Sequence, residues 1–97
     1  MSELAYRLLT SAEIDEAYDT LPGWKFENNV MSKEFSFETY GDGVEFSRKV
    51  ADTADRMDHH PDIHLTYKKV RISMWTHTVG GLSPFDLELA RRIEALV

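Results

Sequence analysis

The sequence predicts an α+β domain: a four-stranded antiparallel sheet with three helices on one face, in the order α-β-β-α-β-β-α. Three observations point there. Four short stretches alternate apolar and polar side chains, in two pairs each joined by a few residues, as hairpins require. Three others repeat apolar residues at helical spacing behind a Ser or Thr that suits an N-cap. No linker, low-complexity tract or internal repeat interrupts the 97 residues, so the punctuation marks elements of one domain spanning 1–97.

The first helix starts at a capping box, Thr10 with Glu13, carries Ile14, Ala17, Tyr18 and Leu21 on one stripe, and stops at Pro22-Gly23. Trp24-Lys25-Phe26 then alternates at period two. Asn28-Asn29 supplies the turn, and Met31, Lys33, Phe35 and Phe37 share one parity of a second strand. Thr39 caps the second helix, whose stripe is expected to run through Tyr40, Gly43, Val44, Ser47, Val50, Ala51, Ala54 and Met57, with Phe46 widening it.

Ile63, Leu65 and Tyr67 alternate with His64 and Thr66, and after Lys68-Lys69 the pattern resumes as Val70, Ile72 and Met74 against Arg71, Ser73 and Trp75. This is a second hairpin. Gly80-Gly81 ends it, Ser83 and Pro84 suit the N-cap and first turn of the third helix, and Leu89, Ala90, Ile93, Leu96 and Val97 supply its buried stripe. Hairpin-joined strands make the sheet antiparallel, and three amphipathic helices need one apolar face to cover.

Composition excludes several function classes. With no cysteine there is no disulfide framework, thiolate metal site or thiol nucleophile, which fits a reducing, cytoplasmic setting. A net charge of −6 argues against nucleic-acid binding, and the basic clusters Lys68-Lys69 with Arg71 and Arg91-Arg92 read as solvated faces. The segment from Met1 to Leu9 carries Glu3 and Arg7 and lacks a signal-peptide core, and no stretch approaches a membrane span. A soluble, unprocessed protein is expected. Glycine-rich phosphate loops and a G-x-S-x-G elbow are both missing.

The informative feature is the placement of three of the four histidines, His59, His60 and His77, around the second hairpin. Imidazole, with an unperturbed pKa of about 6.5, gives and takes protons readily near neutrality. If Lys68-Lys69 forms a two-residue turn, Tyr67 faces Val70 and His60 lies opposite His77, close enough for two rings to flank one small molecule; an odd-length loop would substitute His59 or Pro61. Pro61 disfavours helical dihedrals at His60 and helps end the second helix there. Asp55 falls in that helix's last turn, where the macrodipole disfavours an anion, which hints at a local partner such as a histidine.

Each residue also has a plainer explanation. His59-His60 at a helix end is equally a polar loop, and Ser83-x-x-Asp86 is equally a capping box with no further role. Tyr67 lies on the apolar parity of its strand and is expected in the core, and His64 on the surface. Zinc would accept imidazole and carboxylate ligands, but adjacent residues such as His59 and His60 usually point apart and no His-x-His spacing is present in this region, so no metal site is expected.

Asp55, His59-His60-Pro61, Tyr67, His77 and Asp86, at this spacing, together with Leu21-Pro22-Gly23-Trp24, Phe35-Ser36-Phe37, Val50-Ala51 and Gly80-Gly81-Leu82, resemble the pterin-4a-carbinolamine dehydratase family from about Leu9 onward. The resemblance implies dehydration of 4a-hydroxytetrahydropterin to quinonoid dihydropterin, which recycles tetrahydrobiopterin for aromatic amino acid hydroxylases, with no cofactor and no metal. It implies His59 and His77 as the acid–base pair and His60 as an anchor, although His60 opposite His77 would serve equally. Asp55 and Asp86 would orient imidazoles, and Trp24 would pack near the pterin or in the core. Asp55 stands where many members carry Glu, and Gly43 where Ala is common, an exchange costing about 1 kcal/mol. The resemblance further implies a homodimer or homotetramer, and an alternative role as a protein-interaction module of the dimerisation-cofactor kind.

Overall fold

The structure, a computed structural model, describes residues 4–97. Its elements are α1 (Ser11–Thr20), β1 (Lys25–Glu27), β2 (Val30–Ser36), α2 (Tyr40–Met57), β3 (Asp62–Thr66), β4 (Lys69–Met74), a 3-10 turn (His77–Val79) and α3 (Pro84–Glu94). The strands form one antiparallel sheet in the order β1-β2-β4-β3. This is the predicted α+β architecture and element order.

Local chemistry sets most boundaries. The Thr10 and Thr39 hydroxyls accept the amides of Glu13 and Asp42, so α1 and α2 begin where their first orphan N–H groups find partners. In the first hairpin Asn28 (φ 53°) and Asn29 (φ 62°) both take left-handed dihedrals, the primed-turn geometry that matches strand twist. Alternation then places Met31 and Phe35 of β2 and Val70, Ile72 and Met74 of β4 in the core, beneath Phe46, Val50 and Ala54 of α2 and Leu89, Ala90 and Ile93 of α3. Full burial of such aliphatic side chains contributes about 1.5–3 kcal/mol each. Glu34, Arg71, His64 and Thr66, on the opposite parity, are exposed, so the second face of the sheet is polar.

Four expectations are corrected. The second hairpin turns at Tyr67-Lys68, one residue earlier than expected, because Lys68 takes the left-handed position (φ 63°) and Thr66 pairs with Lys69 and Leu65 with Val70. The shift of two in register preserves which face each residue occupies, but continues to Trp75, not His77, opposite His60. Tyr67 is consequently 71 % exposed rather than in the core. Its ring stacks on Tyr40 and receives the Lys68 ammonium, leaving the hydroxyl in water, where it needs no buried partner.

The buried face of α2 is Gly43, Phe46, Val50, Thr53 and Ala54, while Tyr40, Val44 and Ala51 face outward. Gly43 explains the rotation. A β-carbon there would lie 3.3 Å from Leu65 Cδ1 and 3.4 Å from Val70 Cγ2, so glycine is what lets α2 lie this close to the sheet. The fourth correction is Val97, which is exposed beyond the end of α3.

Candidate active site

Helix α2 ends on Asp58, whose left-handed dihedrals (φ 51°) turn the chain sharply so that His59 follows directly, its amide bonded to the Ala54 carbonyl. Beyond β4 the chain folds back on itself. Thr76 bridges to Gly81, and the 3-10 turn between them opens on His77 and closes on Gly80 (φ 70°). Two segments distant in sequence thus meet, and His59, His60 and His77 line one cavity of about 350 Å³ together with Tyr6, Asp58, Trp75, Thr76 and Thr78. That volume lies at the lower end of small-molecule sites.

The two neighbouring histidines differ in their surroundings. His59 is nearly buried, with Nε2 2.6 Å from Oδ1 of Asp86, which is itself fully buried. His60 stands in solvent with Nε2 3.0 Å from Oδ1 of the exposed Asp55, the local partner that the helix-end carboxylate hinted at. His77 is exposed at the cavity, its ring tilted by 35° against Trp75 at 3.9 Å between centroids.

The hydrogen-bond order around Asp86 can be followed atom by atom. The Phe85 amide donates to Ser83 Oγ at 3.2 Å, and the Ser83 and Thr76 hydroxyls lie 2.7 Å apart. Thr76 Oγ1 donates to Asp86 Oδ2 at 2.7 Å, and the Ser83 amide donates to the same oxygen at 2.9 Å. The Thr76 proton is therefore committed to Asp86, so the hydroxyl proton between the two side chains comes from Ser83. With Oδ2 holding two donors, Oδ1 faces His59 alone. Among the described residues no buried side-chain polar atom lacks a partner.

A carboxylate at Oδ1 accepts a hydrogen bond from Nε2–H and leaves Nδ1 as the nitrogen of His59 free to exchange a proton with a ligand. Asp86 is thus both the cap of α3 and the orienting partner of a cavity histidine; the two roles weighed for it coexist, one on each oxygen.

The remaining expected site residues divide. Asp55 holds His60 but does not line the cavity, and Trp24 is buried in the core, its Nε1–H donating to Glu94 at 3.2 Å and its ring edge-on to Phe35. Sequence reasoning missed Trp75 and Tyr6. Trp75 did carry a signal, a large apolar side chain on the polar parity of its strand; Tyr6, in a segment without periodicity, carried none. Among the described residues no three His, Asp or Glu side chains converge to hold a metal ion, and no helix is long and apolar enough to cross a membrane.

A small α+β domain presents three imidazoles in one cavity, one of them hydrogen-bonded to a buried carboxylate, and imidazoles are groups that can carry protons near neutrality. The family model described as pterin 4 alpha carbinolamine dehydratase matches residues 7–96, and the chain belongs to that family. A protein of Sulfurisphaera tokodaii named "Putative pterin-4-alpha-carbinolamine dehydratase" is 40 % identical over 89 residues, 92 % of this chain and 96 % of its own. A crystal structure of a transcriptional coactivator/pterin dehydratase from Brucella melitensis superposes with a TM-score of 0.85 at 29 % identity, covering 91 % of this chain and 96 % of that one. A pterin dehydratase-like protein identified as a RuBisCO assembly factor in the alpha-carboxysome shares the fold, with a TM-score of 0.62 at 23 % identity over 75 % of this chain and 84 % of its own.

Proposed function

We propose that the chain is a lyase that dehydrates 4a-hydroxytetrahydropterin to quinonoid dihydropterin by histidine acid–base catalysis, in the recycling of tetrahydrobiopterin after an aromatic amino acid hydroxylase. The observation that carries this is His59, locked through Nε2 to buried Asp86 and sharing its cavity with His77. In the reaction the C4a–O bond breaks with its electron pair staying on oxygen, which takes a proton and leaves as water. The N5–H bond gives up its proton, and its pair becomes the C4a=N5 double bond. One proton is delivered and one removed, so two imidazoles at opposite sides of a flat ring suffice. His59 and His77 take these roles, and exposed His60, steadied by Asp55, contacts the substrate.

Direct dehydration of synthetic carbinolamine tests this. His59→Ala and His77→Ala should each slow turnover by about 10²–10⁴-fold, the usual contribution of a positioned acid or base. Rates equal to wild type in both variants would overturn the proposal.

The same proposal includes self-association as a homodimer or homotetramer. It is supported by the outward stripe of α2, where Tyr40 and Val44 are 50 % and 43 % exposed, and by the edge strands β1 and β3. Light scattering at micromolar concentration should give a multiple of the chain mass; a clean monomer would refute it.

A further inference from the structure

We infer that Tyr6 is a substrate-contacting residue, the aromatic platform against which the fused ring of the ligand stacks; this rests on the dehydratase reading above. The histidines, Asp58 and Thr78 supply the cavity with proton carriers and hydrogen-bonding groups, and the Thr76 hydroxyl is spent on Asp86 and Ser83, but none of these offers a broad apolar plane. Two aromatic rings remain. Trp75 is half-buried and is further covered by His77, 3.9 Å away, so it has less open surface than Tyr6. Tyr6 is 60 % exposed at the cavity, yet its ring lies nearly parallel to Phe85, 4.6 Å away with a 28° interplanar angle, and Phe85 lies 5.8 Å from the His59 ring. Tyr6, Phe85 and His59 therefore form one row that ends in the proposed acid–base imidazole.

The segment bearing Tyr6 is fastened directly after it. Arg7 makes a two-pronged ion pair with Glu13, at 2.7 and 2.8 Å, and the Leu9 amide donates to the Leu82 carbonyl at 2.9 Å. A large aromatic ring held in place beside the reacting groups, with its surface left in water, is preorganised for a flat partner, because the ordering entropy is already spent and the apolar surface is still available to bury. A bicyclic heterocycle gains from such a platform, and a small monocyclic amine gains little. Stacking acts on the ring system and not on the bonds that change, so it serves ground state and transition state alike.

The experiment is fluorescence titration of wild type, Tyr6→Ala and Tyr6→Phe with 7,8-dihydropterin, together with steady-state dehydration kinetics. Tyr6→Ala should weaken binding and raise KM by about tenfold, with kcat within about twofold of wild type, and Tyr6→Phe should restore both. If wild type binds the pterin and Tyr6→Ala binds it equally well, the platform role is wrong while the dehydratase reading stands. If Tyr6→Ala instead loses kcat with KM unchanged, Tyr6 is not a stacking surface and the inference also falls. Failure of wild type itself to bind would bring down the dehydratase reading, and the platform with it.

Discussion

Helices α1 and α3 open with the same device, Thr10-x-x-Glu13 and Ser83-x-x-Asp86, and the two carboxylates do different work. Each accepts the amide of its cap residue, Thr10 to Glu13 Oε1 and Ser83 to Asp86 Oδ2, both at 2.9 Å. A cap needs only one oxygen. At the surface the Glu13 carboxylate is completed by Arg7, which bonds both oxygens. In the interior the second oxygen of Asp86 is completed by His59, and Thr76 adds a further donor to the first. The same local motif thus yields an exposed ion pair in one place and an oriented imidazole in the other. Placement of the helix end decides, because a buried carboxylate must have every lone pair answered by the protein while an exposed one can leave that to water.

The largest effect that separates the two boxes is expected from Asp86→Asn. The amide keeps the shape, and its oxygen can still accept from Thr76 and the Ser83 amide, but its NH₂ then faces His59 Nε2 and cannot accept a hydrogen bond from it. The ring must switch tautomer, placing hydrogen on Nδ1, the nitrogen that the proposed reaction needs free. Turnover should fall by about 10²-fold or more, and stability by about 1–3 kcal/mol from the disrupted buried bonds. Nitrogen-15 shifts of the His59 ring report the tautomer directly, without reliance on any assay. An unchanged ring and an unchanged rate would reduce Asp86 to a cap of the same kind as Glu13.

What could be foreseen follows the range of the forces involved. Caps are local, so Thr10, Thr39 and Ser83 marked three helix starts, and Asn28-Asn29 announced a turn because asparagine tolerates left-handed dihedrals. Lys68 has no such signature, so the second hairpin was displaced and His60 was matched with the wrong partner. Helix α2 bears apolar residues on two sides, and only contact with Leu65 and Val70 at Gly43 shows which side is buried. In the site, the convergence of His59, His60 and His77 was legible because a helix end and the far end of a hairpin strand are brought together by the topology. Trp24 was ambiguous, and its place in the core follows from a partner, Glu94, seventy positions away. The roles of Tyr6 and of the second oxygen of Asp86 are products of tertiary packing, which no local pattern encodes.

The exposed box should yield a smaller effect with a distinct dependence on pH. In Glu13→Gln the side-chain oxygen still caps Thr10, but the charge that pairs with Arg7 is gone. The hydrogen bonds from Arg7, aided by that from the Thr10 amide, hold the Glu13 carboxyl at about 2, down from an ordinary 4.5. A folded-state value below the unfolded one means that the folded chain favours the ionised form. The stabilisation is therefore complete above pH 4.5, erodes as pH falls toward 2, and is gone below it. For an exposed pair it is also modest and screened by salt. Melting curves of wild type and Glu13→Gln should differ by about 1–4 °C at neutral pH. That gap should close on acidification through the same window, and it should narrow in high salt. A gap that persisted in acid would show that the variant had damaged the cap and not the ion pair. The two boxes would then differ in burial alone, and the second oxygen of Glu13 would carry no stability of its own.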